Sequence, residues 1–287
     1  MLGQKKAVEF KGHRLLLGER TLVMGVLNVT PDSFSDGGLY LRAERAIERG
    51  IQMAEEGADI IDVGGESTRP FSKRISPLEE TERVIPVIEG LAKEVHIPIS
   101  IDTYKSSVAR EALKAGASII NDISAMRLDP EMADVALKED VPVVLMHMKG
   151  MPEDMQIHPQ YEDVISEIKG FLKERVEELL KRGIKRERII IDPGIGFGKG
   201  FEHNLRILRD ISSFFELGLP ILLGTSNKSF IGKILQNEPH EREAGTLATV
   251  AYAAIKGIDI VRVHWVKKAR ETIEVIEAIK RGSIEEG

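Results

Sequence analysis

The chain has 287 residues, 42% hydrophobic and 30% charged, with a formal net charge of -6 and no cysteine. That composition is globular. It excludes disulfides and thiolate chemistry, a basic nucleic-acid footprint, since Lys and Arg are interspersed with Glu, and a membrane span, since no apolar run approaches ~18 residues.

In chain order, Ala7 to Leu17 alternates apolar and polar residues around Lys11-Gly12. This predicts a β-hairpin within residues 1–20 that caps whatever follows. From Leu22 onward one coarse unit recurs eight times: a short apolar run ending in polar residues or glycine, then an amphipathic helical pattern. The runs are Leu22 to Leu27, Ile60 to Val63, Ile97 to Ile101, Ser118 to Ile120, Val141 to Met146, Ile189 to Ile191, Ile221 to Leu223 and Ile258 to Val263. Between them Leu78, Val84, Ile85, Val87, Ile88, Leu91 and Val95 repeat at helical spacing, as do Val164, Ile165, Ile168, Leu172, Val176 and Leu179. Gly57, Gly116 and Gly183 punctuate helix ends. Eight strand-helix units in succession favour a single-domain (β/α)8 TIM barrel over residues 1–287. An open doubly wound sheet stays possible, because periodicity does not report closure. MLGQKKAVEF lacks the apolar core of a secretory signal, so the protein is expected in the cytoplasm.

A barrel of this kind carries its site at the carboxyl ends of its strands, and there the sequence is rich in chemistry. Asn28 to Gly38 follows the first run, Gly64 to Pro70 the second, Asp102-Thr103 the third and Asn121-Asp122 the fourth. His147, Asp192, Gly224 to Ser229, and Arg262 with His264 follow the remaining four. Asp102, Asn121 and Asp192 offer donors and acceptors suited to a flat heterocycle bearing N–H and C=O groups. Singly, each is as readily a cap or turn residue; three on separate strands point to one ligand. Arg69, Lys228, Arg262 and His264 form a local cationic set suited to phosphate or pyrophosphate. Gly194, Gly196 and Gly198 permit close backbone approach but do not fit the spacing of a phosphate-binding P-loop.

These strand-end segments, VMGVLNVTPDSFSDGG, DIIDVGGESTRP, ISIDTYK, IINDISA, MHMKG, IIIDPGIGFGK, GTSNKSFIG and IVRVHWV, together resemble the dihydropteroate synthases. That family condenses 6-hydroxymethyl-7,8-dihydropterin pyrophosphate with 4-aminobenzoate, releasing pyrophosphate. The resemblance implies that Asp102, Asn121, Asp192 and Lys228 hold the pterin, with Met146, Gly196 and Phe197 lining its pocket. It implies that Arg69, Arg262 and His264 bind the pyrophosphate, with Asn28 on an accompanying Mg2+. Phe34, Thr68, Pro70 and Ser229 would shape the aminobenzoate pocket, and the protein would be a homodimer that takes small-molecule substrates. Two positions depart from the family pattern: Asn227, where Arg is usual, and Trp265, where a small polar residue is usual. Alternative readings are the related methyltransferase acting on methyltetrahydrofolate and a corrinoid protein, a Schiff-base lyase using Lys228, and a pterin-binding paralogue without turnover.

Overall fold

The computed structural model describes residues 6–30, 39–68 and 72–282. β1 (Lys6–Phe10) and β2 (His13–Leu17) form the antiparallel hairpin, turning at Lys11 and Gly12, whose φ values of 41° and 80° match the positive-φ turns that tight hairpins prefer. Every predicted apolar run then overlaps a strand, several of which extend one or two residues further: β3 (Leu22–Asn28), β4 (Ile60–Gly64), β5 (Ile99–Asp102), β6 (Ile119–Asp122), β7 (Val143–Met146), β8 (Ile189–Asp192), β9 (Leu222–Leu223) and β10 (Ile260–Val263). All pair in parallel, in the order β8-β7-β6-β5-β4-β3-β10-β9. A parallel bridge between Ile191 and Ile221 brings the two ends of that order together, and the Ile191 amide donates to the Pro220 carbonyl at 2.9 Å. The sheet is therefore a barrel, and the doubly wound alternative is set aside.

The alternation of side chains along each strand explains both sides of the wall. Outward members such as Val23, Ile61, Ile101, Ile120, Leu145 and Ile191 are buried under the helices. Those helices are α1 (Leu39–Glu55), α2 (Pro77–Glu94), α3 (Ser106–Ala115), α4 (Met132–Glu139), α5 (Val164–Lys181), α6 (Phe201–Arg209), α7 (Ser229–Leu235), α8 (Glu243–Lys256) and α9 (Val266–Arg281). Both predicted periodic stretches are helical, as α2 and α5, and the seventh unit carries two helices, α7 and α8. Gly57, Gly116 and Gly183 lie just past helix ends with φ of 92°, 121° and 98°, backbone that glycine adopts without a Cβ penalty.

Inward members near the amino ends, Met24, Ile60, Ile119, Val144, Ile190, Leu222 and Ile260, form one apolar cluster with Val8, Phe10, Leu15 and Leu17 of the hairpin. The hairpin thus plugs the amino-terminal end, as expected, each large buried side chain contributing ~1.5–3 kcal/mol. Two residues further along several strands the inward position turns polar: Ile60 gives way to Asp62, Ile119 to Asn121, Ile190 to Asp192 and Ile260 to Arg262. The barrel interior is closed by apolar packing below and opens as a polar cup above.

Candidate active site

The cup is lined by Asp102, Asn121, Asp192, Arg262, His264, Lys228 and Thr68, with Met146, Phe197, Ile123, Ile195 and Val26 as apolar walls. Arg262 lies at its centre. Its Nε donates to Asp62 Oδ2 at 2.6 Å and its Nη2 to Asp102 Oδ2 at 2.7 Å. Asn121 Nδ2 donates to the same Asp62 oxygen at 3.0 Å, and Asp192 Oδ1 accepts from the Gly194 amide at 2.7 Å. Ion pairs of this kind are expected wherever carboxylates are taken out of water.

Side chains from the carboxyl ends of β5 to β8 build the apolar side. Phe197, Met146, Met148, Met155 and Ile123 pack together, with Tyr104 and Met151 against them. Lys228 Nζ stands 4.1 Å from the Phe197 ring centroid, a cation–π contact that holds the ammonium over the ring. The loop after β8 is held in place by its glycines, whose φ values are 71° at Gly194, 82° at Gly196 and 63° at Gly198. A Cβ on Gly194 would meet the His147 carbonyl at 2.0 Å, and one on Gly198 the Lys149 carbonyl at 2.0 Å. The close approach these glycines permit is to the chain's own β7 loop, and at Gly196 to the Lys228 side chain. Beneath the loop the fully buried Lys199 donates to the carbonyls of Phe197 (2.9 Å) and His147 (3.1 Å) and contacts His147 Nδ1 at 2.8 Å.

Burial sets the electrostatics. It raises the Asp102 carboxyl to about 7 against the pull of Arg262, with Asp62 adding repulsion. It raises Asp192 to about 6, opposed by the Gly194 amide and Lys228. Lys228 is lowered to about 8, first by burial and then by Arg262, and the Arg262 guanidinium is held charged by Asp62 and Asp102 against the cost of burial. Burial, reinforced by Lys199, pushes the His147 ring down to about 2, so it is neutral. At His264 the Ser226 hydroxyl, which accepts the His264 backbone amide at 3.3 Å, lies 2.8 Å from Nδ1. This contact orients the imidazole at the mouth of the cup, whichever of the two atoms carries the proton.

The structure brings Thr68, Asp102, Asn121, Met146, Asp192, Phe197, Lys228, Arg262 and His264 to one cavity. Gly196 stands beside Lys228, Asn28 ends β3 opposite Gly64, and Ser229 begins α7 in an exposed position. Phe34, Arg69 and Pro70 lie outside the described residues. Arg262, which the resemblance groups with the pyrophosphate residues, sits among the carboxylates of the cup and supplies their counter-charge. Asp62, Ser226 and the Lys199–His147 pair carry no role in the motif reading; for Asp62 the available signal was the two-residue period Ile60-Asp62-Gly64, which turns it inward. Asn227 has φ 60° and gives its carbonyl to Arg242, left-handed backbone that Asn tolerates well. Trp265 is half-buried at the start of α9 with its ring 6.5 Å from that of His264, so both departures sit in turn or packing positions.

A parallel barrel whose mouth gathers carboxylates, an amide and a lysine against an apolar wall defines a heterocycle-binding enzyme. Residues 24–264 match the model of the family described as pterin binding enzyme, and the chain belongs to that family. Within it, the chain falls among the dihydropteroate synthases. It is 47% identical to the dihydropteroate synthase of Bacillus subtilis over all 287 residues, covering 98% of that protein. It superposes with TM-score 0.91 on the Xanthomonas albilineans dihydropteroate synthase solved with 4-aminobenzoic acid, at 43% identity, covering 96% of this chain and 99% of that one. The same enzyme in complex with 7,8-dihydropteroate gives TM-score 0.87 at 41% identity, with the same coverage.

Proposed function

We propose that the cup performs dihydropteroate synthesis as a division of labour between its floor, its wall and its rim. The observation that carries this is the ring of Asp102, Asn121, Asp192 and Lys228 around one cavity walled by Met146 and Phe197. A pterin edge carries both donors and acceptors, which the carboxylates, the amide and the ammonium complement. The apolar wall receives the ring faces. As the C–O bond to pyrophosphate breaks, positive charge develops on the pterin methylene, and buried carboxylates at Asp102 and Asp192 stabilise it where water is scarce. The arylamine nitrogen then forms the new C–N bond and releases its proton to solvent. Arg262, His264 and Arg69 are assigned to the departing pyrophosphate, and Thr68, Phe34, Pro70 and Ser229 to the aminobenzoate.

Mg2+ bound with the pyrophosphate would stabilise the leaving group's charge. Asn28 fits such a site in donor type, a single amide oxygen at a strand end, because Mg2+ commonly takes one or two protein oxygens and completes its shell with phosphate and water. The assay that tests the function is coupled turnover of 6-hydroxymethyl-7,8-dihydropterin pyrophosphate and 4-aminobenzoate with Mg2+, measuring pyrophosphate release. Release at background with intact pterin binding would replace this reading by a binding protein without turnover.

The chain is further proposed to act as a homodimer. Ile234, Leu235, Ile255, Val275 and Ile279 on α7, α8 and α9 are 46–70% exposed, apolar side chains that a second copy would cover. Sedimentation of Ile279→Glu against the parent chain tests this, with unchanged mass overturning it. No helix among the described residues is long and apolar enough to cross a membrane. We place the protein in the cytoplasm, with cell fractionation as the check.

A further inference from the structure

The carboxylate that organises the cup is one that would touch no substrate. Gly64 is the register partner of Asp102, and Asp102 of Asn121. Asp62, two residues before Gly64 and paired with Ser100, therefore lies one inward step below them, directly above the apolar layer of Ile60 and Ile119. It is fully buried. Its Oδ2 accepts from both Asn121 Nδ2 and Arg262 Nε, and its Oδ1 makes no hydrogen bond to a described residue. Holding a carboxylate at that depth with one oxygen unsatisfied is costly compared with an aliphatic side chain of similar size, so stability alone does not account for it.

A carboxylate can only accept, so the Asn121 amide must turn its nitrogen down toward Asp62 and keep its carbonyl oxygen for the cavity. The same contact uses Arg262 Nε, while Nη2 is used by Asp102. We propose that Asp62 is the positioning residue of the pterin site: it fixes Asn121 as an acceptor toward the ligand ring and anchors Arg262 so that Asp102 stays beside a cation. In this arrangement Asn121 selects an N–H edge of the ring, which an amide free to flip would not do. The inference rests on the pterin reading of the site.

The test compares Asp62→Asn, nearly isosteric and uncharged, with the parent chain, using 6-hydroxymethylpterin as calorimetric probe and turnover as a second readout. The expected result is a Kd for the probe weakened by about tenfold or more, with kcat at saturating substrate changed less than about threefold, as for loss of a charge-assisted bond that orders a ligand contact. In an Asn121→Ala background the same substitution should weaken the probe by clearly less than in the parent, because the part of its effect that passes through Asn121 is already lost while the part that passes through Arg262 remains. The pH profile gives a signature that a merely structural role would not move. Asp102 faces Arg262 on β10, Asp62 on β4, Glu80 on α2 and Asp122 on β6. Removing the Asp62 charge lowers the Asp102 carboxyl, so the acid limb of probe binding moves to lower pH. Should Asp62→Asn not fold, Asp62→Ser carries the same comparison. Probe affinity within about twofold of the parent with an unmoved acid limb overturns the proposal. An equal loss in both backgrounds overturns it too, whereas a parent chain that does not bind the probe overturns the pterin reading instead.

Discussion

Asp102 at about 7, Asp192 at about 6 and Lys228 at about 8 compress the titration of the whole cup into a span of two pH units. Burial dominates all three, raising the acids and lowering the base. The proposed mechanism requires both carboxyls ionised and Lys228 protonated in the free enzyme. kcat/KM is therefore expected to be bell-shaped, with an acid limb between about 6 and 7 and an alkaline limb near 8. Initial rates with limiting pterin pyrophosphate from pH 5 to 9 check this, and a flat profile would remove ionised Asp102 and Asp192 from the mechanism. The residues that line the cup were largely legible because each stands where a strand ends and an apolar alternation stops. Asp62 was not, since it sits inside a strand and its task is to hold other side chains.

At the scale of the element, the β8–α6 loop shows what its glycines do. Gly194 and Gly198 each lie against a β7-loop carbonyl, so the loop is seated on the backbone of its neighbour. Gly194→Ala combines left-handed strain of ~1–2 kcal/mol with overpacking of ~1–3 kcal/mol, and should lower stability by about 3 kcal/mol in urea unfolding. At Gly170, within α5, an added Cβ would have nothing within 4 Å; Gly170→Ala should instead stabilise by about 0.5–1 kcal/mol. Losses of similar size at both positions would contradict the account. Sequence spacing showed that these glycines allow an approach, but not to what, since that depends on which loop is the spatial neighbour. Lys199 illustrates the same limit. Replaced by Met it would leave the carbonyls of His147 and Phe197 without their donor, an expected loss of about 2–4 kcal/mol. Because the Phe197 carbonyl anchors the ring that carries Lys228, probe affinity should fall with it. A Lys199→Met protein as stable as its parent would mean that the amino group of Lys199 contributes nothing to the loop.

For the whole molecule, barrel closure was the feature that periodicity could not supply. Both candidate architectures need the same alternating units, and the difference lies in one contact between the first and last strands in the sheet order, here β8 and β9. That contact is thin. β9 has two residues, and its link to β8 is the Ile191–Ile221 bridge, whereas β3 and β4 pair over five positions. Local opening follows the weakest backbone pairing, so in hydrogen exchange the segment 219–224 should lose protection before the segment 22–28. The site spans this seam: Asp192 ends β8, while Lys228 follows β9 and reaches back to Phe197. On the proposed reading, a pterin held by Asp192 and Lys228 would join the two sides, and a ligand stabilises the closed form by RT ln(1 + [L]/Kd), about 2.7 kcal/mol at one hundred times Kd. Saturating 6-hydroxymethylpterin should therefore slow exchange in 219–224 by more than in 22–28. Equal slowing in both segments would show that the barrel opens as one unit and that the β8–β9 seam is no weaker than the rest of the wall.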